Sequence, residues 1–359
     1  MYNLLRPYLF NLDPERAHAL TLNALSIAGN VRLARWLLAM YFRAPSKPVH
    51  VFGLTFKNPI GLAAGYDKDG IAIRGLSALG FGHVEIGTVT PKPQPGNPSP
   101  RVFRLMEDEA VINRMGFPSR GSEFMQMQLD PNLRLNWIER IIGFSRDKRR
   151  KPLPKWNTVL GVNLGKNKDT PNEDAVLDYL ALLQNFAGIA DYLTINVSSP
   201  NTVGLRSLQG REALEGLLTQ LHQQRLFEQQ THKKRIPILV KLSPDLNDAE
   251  LDDAIEAILR THMDGIIVTN TTLAREGLRS SCRGESGGLS GKPLTARSEA
   301  VLGQTVKRVN GEIPVVSAGG VMSPVDAKRR LDAGAALVQV YTGLIYHGPS
   351  LVQEIVKAV

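Results

Sequence analysis

Tyr192-Leu193-Thr194-Ile195-Asn196-Val197-Ser198-Ser199-Pro200-Asn201-Thr202 begins as a run of apolar and β-branched residues and ends in hydroxyls and amides. The first part suits a buried strand, and the second suits a polar loop at its C-terminal end. The same pattern recurs in both directions. Gly61–Gly65, His83–Thr90 and Thr158–Leu164 precede it, and Ile238–Leu242, Gly265–Asn270, Pro314–Ala318 and Leu337–Tyr341 follow, which makes eight candidate strands. Most lie about 25 to 45 residues apart, the spacing of parallel strands joined by helices. Eight such units predict an α/β chain folded as a (β/α)8 TIM barrel. No G-x-G-x-x-G follows the first strand, which argues against a doubly wound dinucleotide-binding sheet. Ahead of the first strand, Val51–Phe56 reads as a small hairpin able to plug one end of the barrel.

In such a barrel, chemistry gathers where strands end and βα loops begin. Those ends carry Ala63-Ala64-Gly65-Tyr66-Asp67-Lys68, Gly87-Thr88, Asn163, Asn196, Lys241, Thr269-Asn270-Thr271-Thr272, Gly319-Gly320 and Tyr341-Thr342-Gly343. The glycines after strands seven and eight fall where barrels commonly bind phosphate on exposed backbone N–H groups. A single glycine pair can be a tight turn and nothing more, but two at these strands point to a phosphate-bearing ligand. Lys68 and Lys241 end strands, where a long cation is seldom placed for packing. They suit the electron-rich edge of a reduced flavin, a Schiff base, or a solvated rim. Asparagines present a donor and an acceptor together, which fits an imide-like substrate. No His, Asp and Glu cluster has metal-ligand spacing, so no metal is expected.

The chain has 359 residues, 43% of them hydrophobic, enough for a barrel with appendages. A net charge of +9 favours anionic partners without choosing among them. Cys282, the one cysteine, allows no intrachain disulfide and sits in a polar context that reads as an incidental surface thiol. No apolar run approaches the roughly 20 residues that cross a bilayer. Asp13-Pro14-Glu15 is a helix start, with a helical pattern to Gly29-Asn30 and a second short helix over Val31–Phe42. Arginines 32, 35 and 43 beside Trp36, Leu37, Leu38, Met40 and Phe42 suit a membrane interface. They equally suit a helical cap packed on the main domain, and pattern alone does not choose. The expected organisation is therefore a helical extension over 1–45 and a barrel over 46–359. A basic insertion at about 131–155 carries eight Lys and Arg against Glu139 and Asp147.

Five segments together resemble the dihydroorotate dehydrogenases, specifically the quinone-linked class 2 group. They are Gly65-Tyr66-Asp67-Lys68-Asp69-Gly70, Ile112-Asn113-Arg114-Met115-Gly116-Phe117, Asn196–Thr202, Gly287-Gly288-Leu289-Ser290-Gly291 and Val338-Gln339-Val340-Tyr341. The likeness runs from Leu12-Asp13-Pro14-Glu15 to the last helix. It implies an FMN cofactor held by Ala64, Gly65, Lys68, Thr88, Asn163, Asn196, Lys241, Thr269, Gly291, Gly320, Tyr341 and Thr342. It implies dihydroorotate, leaving as orotate, bound by Lys68, Asn113, Arg114, Met115, Gly116, Phe117, Asn196, Asn201, Asn270 and Thr271. The implied base is Ser199, which takes the C5 proton while hydride leaves C6 for the flavin, with Thr202 and Phe117 beside it. A serine is a poor base and needs activation or a relay.

Class 1 relatives carry cysteine at the place of Ser199 and lack the N-terminal helices. The resemblance therefore implies a membrane quinone as electron acceptor, approached by His18, Arg104 and Tyr341. It implies a peripheral position on the cytoplasmic side of a bacterial inner membrane, on an anionic lipid surface, with no obligate protein partner. The basic tract is longer than this family suggests and is expected on the barrel face away from the chemistry. Tyr66 stands where an apolar residue is more usual. Three other readings remain: another FMN barrel acting on dihydropyrimidines or dihydrouridine, a flavin-free aldolase or isomerase, and a nucleic-acid binder using the basic tract. The first should carry cysteine for Ser199, and the last should show a packed aromatic face; no nucleic acid is expected.

Overall fold

Each of the eight runs forms a strand of three to seven residues whose side chains are almost all buried, so each needs cover on both faces. A closed barrel ringed by helices supplies it. In the computed structural model, which describes residues 2–130, 133 and 156–359, the strands are β3 (Ile60–Leu62), β4 (His83–Val89), β7 (Val159–Leu164), β8 (Tyr192–Asn196), β9 (Ile238–Leu242), β10 (Gly265–Val268), β12 (Val315–Ala318) and β13 (Leu337–Val340). They pair in parallel in that order, and β13 returns to β3 through Val338 beside Ile60. Every strand leads through its loops to a helix on the outside of the barrel. The eightfold βα reading of the sequence stands, with strand ends moved by up to three residues.

The hairpin β1 (Val49–Val51) and β2 (Leu54–Phe56) plugs the barrel floor as expected. Its turn places Phe52 and Gly53 at positive φ, the geometry of a tight two-residue connection. Val51, Phe52 and Phe56 pack with Tyr192, Leu239, Ile267, Val316 and Leu337 from the strands. Phe52 reaches so close to Gly265 that a Cβ there would lie 2.5 Å from its ring.

Two features went unread in the sequence. Between β4 and β7 the chain makes β5 (Val102–Leu105) and β6 (Ala110–Asn113), and β11 (Gly288–Gly291) from a distant loop pairs antiparallel with β6. The N-terminal extension holds three helices rather than two: α1 (Tyr2–Asn11), α2 (Pro14–Asn30) and α3 (Arg32–Tyr41). Proline at position 7 and the lack of an N-terminal capping side chain hide α1 from pattern reading. By contrast, the carboxylate of Asp13 accepts the Glu15 and Arg16 N–H groups at 3.1 and 3.0 Å, and Pro14 opens α2.

Gly29 lies inside α2 instead of stopping it. It lets α2 meet α4 (Ile73–Ser77), where a Cβ on Gly29 would sit 2.4 Å from the Gly75 nitrogen. Glu15 is then clamped by Arg101, whose Nη2 approaches to 2.6 Å. These contacts hold the extension beside the barrel mouth. The expected placement of the basic insertion at about 131–155 lies outside the described residues.

Candidate active site

The strand ends form a buried chamber whose polar groups are tied together before any ligand enters. Thr88 Oγ1 donates to Asn163 Oδ1 at 2.5 Å, and Asn196 Nδ2 donates to the same oxygen at 3.0 Å. Asn163 Nδ2 donates to Glu85 Oε1 at 2.8 Å. The other carboxylate oxygen of Glu85 accepts from Tyr192 OH at 3.1 Å and Gln339 Nε2 at 2.8 Å. Asn270 Nδ2 donates to Ser198 Oγ at 2.9 Å, and Asn201 Nδ2 to Asn113 Oδ1 at 3.1 Å. Such networks fix amide orientation, so the faces left for a ligand are pre-set. Glu85 is fully buried inside the barrel, three donors satisfy it, and its charge opposes the burial that lowers the pKa of Lys241. The Lys241 ammonium finds no hydrogen-bond acceptor among the described residues and borders the cavity.

Ser199 lines this chamber, with Oγ accepting the Asn201 N–H at 3.3 Å. No histidine or carboxylate hydrogen bonds to it among the described residues. The nearby Thr202 hydroxyl is buried and without a described partner. Lys68 donates to the Gly65 carbonyl at 2.6 Å. Burial lowers its pKa to about 8, against the pull of Glu15 and Asp69.

The chamber is one end of a single cavity of about 440 Å³. The other end runs out between α1 and α2 and is lined by Tyr2, Leu5, Leu9, Phe10, Pro14, Ala17, His18, Thr21 and Leu25. Tyr66 and Tyr341 stand at the junction, ring centroids 6.0 Å apart. His18 meets the Tyr66 ring edge-on at 4.9 Å. Burial lowers the His18 pKa to about 4, with Lys68 adding to the effect, so its imidazole is neutral at physiological pH. Arg104 donates to the Phe10 and Leu12 carbonyls at 2.7 and 2.6 Å and lies over the Phe10 ring. It thus closes the C-terminal end of α1 while bordering the channel.

At a third corner the turn after β12 folds against α5 (Thr295–Val309). The Gly320 carbonyl accepts from Thr295 Oγ1 at 2.7 Å, and a Cβ on Gly320 would lie 2.4 Å from Thr295 Cα. No described group accepts the backbone N–H of Gly320 or Val321, and both residues border the cavity. Free donors on a glycine turn make an anion seat.

Of the residues expected to hold ligand, Ala64, Gly65, Lys68, Thr88, Asn196, Lys241, Thr269, Gly320, Tyr341 and Thr342 line the cavity, as do Asn113, Met115, Gly116, Phe117, Ser199, Asn201, Asn270 and Thr271. Three stand off it. Arg114 turns outward to Glu285 at 2.6 Å. Asn163 lies behind Thr88 and Asn196. Gly291 sits on β11 behind Ser290, which does line the cavity and accepts from Thr342 Oγ1 at 2.9 Å. Missed by sequence reading were the α1 side chains and Glu85. The second had a signal: a carboxylate inside the buried strand His83–Val89. Among the described residues no group of three or more His, Cys, Asp and Glu could hold a metal ion.

The chain matches a family model described as dihydroorotate dehydrogenase over residues 47–359. It is 46% identical to the dihydroorotate dehydrogenase (quinone) of Idiomarina loihiensis, covering 99% of each chain. With the protein of the same name from Stenotrophomonas maltophilia it shares 46% identity over 100% of this chain and 96% of the relative. Among solved structures it resembles DHODH from Eimeria tenella, crystallised with ferulenol. The TM-score is 0.80 at 40% identity, covering 96% of this chain and 90% of that one.

Proposed function

The chain belongs to the dihydroorotate dehydrogenase family, and from that membership and the cavity's shape we propose that it oxidises dihydroorotate to orotate, a step of pyrimidine biosynthesis, with a quinone as final acceptor. The observation that carries the reading is one cavity with two unlike ends: a chamber of fixed amides, lysines and hydroxyls, and an apolar channel between helices. A small polar anion and a long apolar quinone would need such separate approaches.

The residues fit FMN. The Gly320 and Val321 N–H groups would receive its phosphate, and Lys241, with no hydrogen-bond acceptor among the described residues and bordering the cavity, would face the electron-rich edge of the ring. Thr88 and Asn196 would bond the ring's polar edge, with Asn163 fixing their orientation. FMN, when bound, supplies the hydride acceptor and the means of passing electrons on to a quinone.

The chain's own groups then divide the work. Lys68 offers a cation to the substrate carboxylate. The amides of Asn113 and Asn201 are bonded to each other, the Asn270 amide donates to Asn196 and Ser198, and Thr271 completes the wall. Ser199 Oγ removes the ring proton. Its proton passes on through Thr202, whose buried hydroxyl has no hydrogen-bond partner among the described residues. Phe117, at positive φ beside Gly165, excludes water from that corner.

His18, Tyr66 and Tyr341 border the channel where a quinone ring would stop. Leu4, Tyr8 and Trp36 on the extension are 75, 75 and 58% exposed, an apolar face suited to a lipid surface. No described helix is long and apolar enough to cross a membrane.

An anaerobic visible spectrum tests the reading. A flavin band that bleaches with dihydroorotate and returns with a soluble quinone supports both halves. A flavin band untouched by dihydroorotate removes the substrate, and protein that stays colourless after FMN is supplied removes the flavin. Flotation with vesicles tests the lipid face: protein that stays unbound with both neutral and anionic vesicles refutes it.

A further inference from the structure

Arg330, in the last turn of α6 (Pro324–Asp332), is fully buried, which is unusual for the bulkiest cation a protein has. Its Nη2 donates to the Thr295 carbonyl and to Ser298 Oγ, both at 2.8 Å, and to the Gly319 carbonyl at 3.3 Å. Ser298 Oγ also lies 2.8 Å from that carbonyl. Its Nε and Nη1 have no hydrogen-bond partner among the described residues, and the nearest carboxylate, Glu299, lies 3.9 Å from Nε. A buried charge normally has a close counter-ion; this one has Glu299 at 3.9 Å and the field of Asp326, whose carboxylate already pairs with Arg329.

Its position gives the charge a use. A trans peptide holds C=O and N–H on opposite sides of one plane. A Gly319 carbonyl drawn toward Arg330 therefore turns the Gly320 N–H the other way, and that N–H belongs to a turn that borders the cavity. The Thr295 hydroxyl does the same to the next peptide by holding the Gly320 carbonyl. We infer that Arg330 is a positioning residue for phosphate recognition. It orients the Gly319–Gly320 peptide and sets a buried positive charge behind it, so that the pocket selects a phosphorylated flavin over the unphosphorylated one. This rests on the flavin reading above and adds a residue that touches neither flavin nor substrate.

The test titrates flavin-stripped full-length protein with FMN and with riboflavin, following quenching of flavin fluorescence. For Arg330→Met the expected result is at least a ten-fold loss of FMN affinity with riboflavin affinity within two-fold of the parent. Arg330→Lys, which keeps the charge and shortens the reach, should lose less FMN affinity than Arg330→Met and leave riboflavin unchanged. Should Arg330→Met fail to fold, Arg330→Lys and Ser298→Ala carry the test, each expected to weaken FMN by several-fold and riboflavin not at all. Unchanged FMN affinity in the folded variants, or equal losses for both flavins, would overturn the inference. Parent protein that binds neither flavin would instead refute the flavin reading itself.

Discussion

The two ends of the cavity are built on opposite principles. The chamber at the strand ends is held by side-chain hydrogen bonds among Thr88, Asn163, Asn196, Asn270 and Glu85, all on strands or directly after them. The channel is held mainly by packing: α1 and α2 lay apolar side chains across the mouth, Arg104 and Arg6 tie its edge to main-chain carbonyls, and Arg101 clamps Glu15 beside it. Directional bonds on a rigid barrel suit a step in which a proton and a hydride must leave set positions. Loosely specified apolar contacts suit a long, uniform ligand that needs admission more than orientation.

The comparison breaks most sharply at Ser199. Ser199→Ala should slow flavin reduction by dihydroorotate by about 10²- to 10⁴-fold, the usual worth of a general base, while reoxidation by a soluble quinone stays at the parental rate. Stopped-flow absorbance separates the halves, and equal slowing of both would show that the two ends are not independent. Next is the chamber's frame. Glu85→Ala strands three buried donors and leaves the Lys241 charge without its nearest opposing one, so urea unfolding should show a loss of about 3 kcal/mol or more. A loss below about 1 kcal/mol would mean the network is not what holds the chamber.

Lys68 offers a milder probe. Burial holds its pKa at about 8, so the cation is present below that pH and is lost as pH rises through it. The KM for dihydroorotate should climb above pH 8, by up to about ten-fold per unit in the limit, whereas the KM for quinone should not follow it. A flat dihydroorotate profile to pH 9.5 would remove Lys68 from carboxylate binding. The smallest effect belongs to the channel. Tyr66 OH has one long contact, 3.5 Å to Thr21 Oγ1, at the junction of the two ends. Tyr66→Phe should shift the quinone KM by no more than about ten-fold, the worth of one hydrogen bond, and leave flavin reduction unchanged. A change in the reductive half alone would place that hydroxyl on the chamber side.

Much of the chamber was legible because barrels put function at strand ends, and a strand end can be found in sequence from where an apolar run gives way to Gly, Asn, Ser or Lys. Lys241, Asn196 and Gly320 were reached that way, and each lines the cavity. Ser199 and the Asn113–Phe117 segment came from family resemblance. Asn113 has no barrel strand beneath it: it stands on β6, which pairs with β11 from about 175 residues further along the chain. Pairing over such a separation leaves no local periodicity to read.

The eight βα units, the capped start of α2 at Asp13-Pro14 and the polar character of the mouth can be read along the chain, because each depends on neighbours within a few residues. Which polar residues face the cavity is set by the closed barrel. Arg114 turns out to Glu285 while Asn113, one residue earlier, lines it. The folded arrangement also decides that α1 completes the channel, that Glu85 anchors the amides and that Arg330 sits behind the Gly319–Gly320 turn. Local sequence sets backbone preference and the alternation of faces. Which buried charge meets which carbonyl depends on elements brought together by closure of the whole barrel.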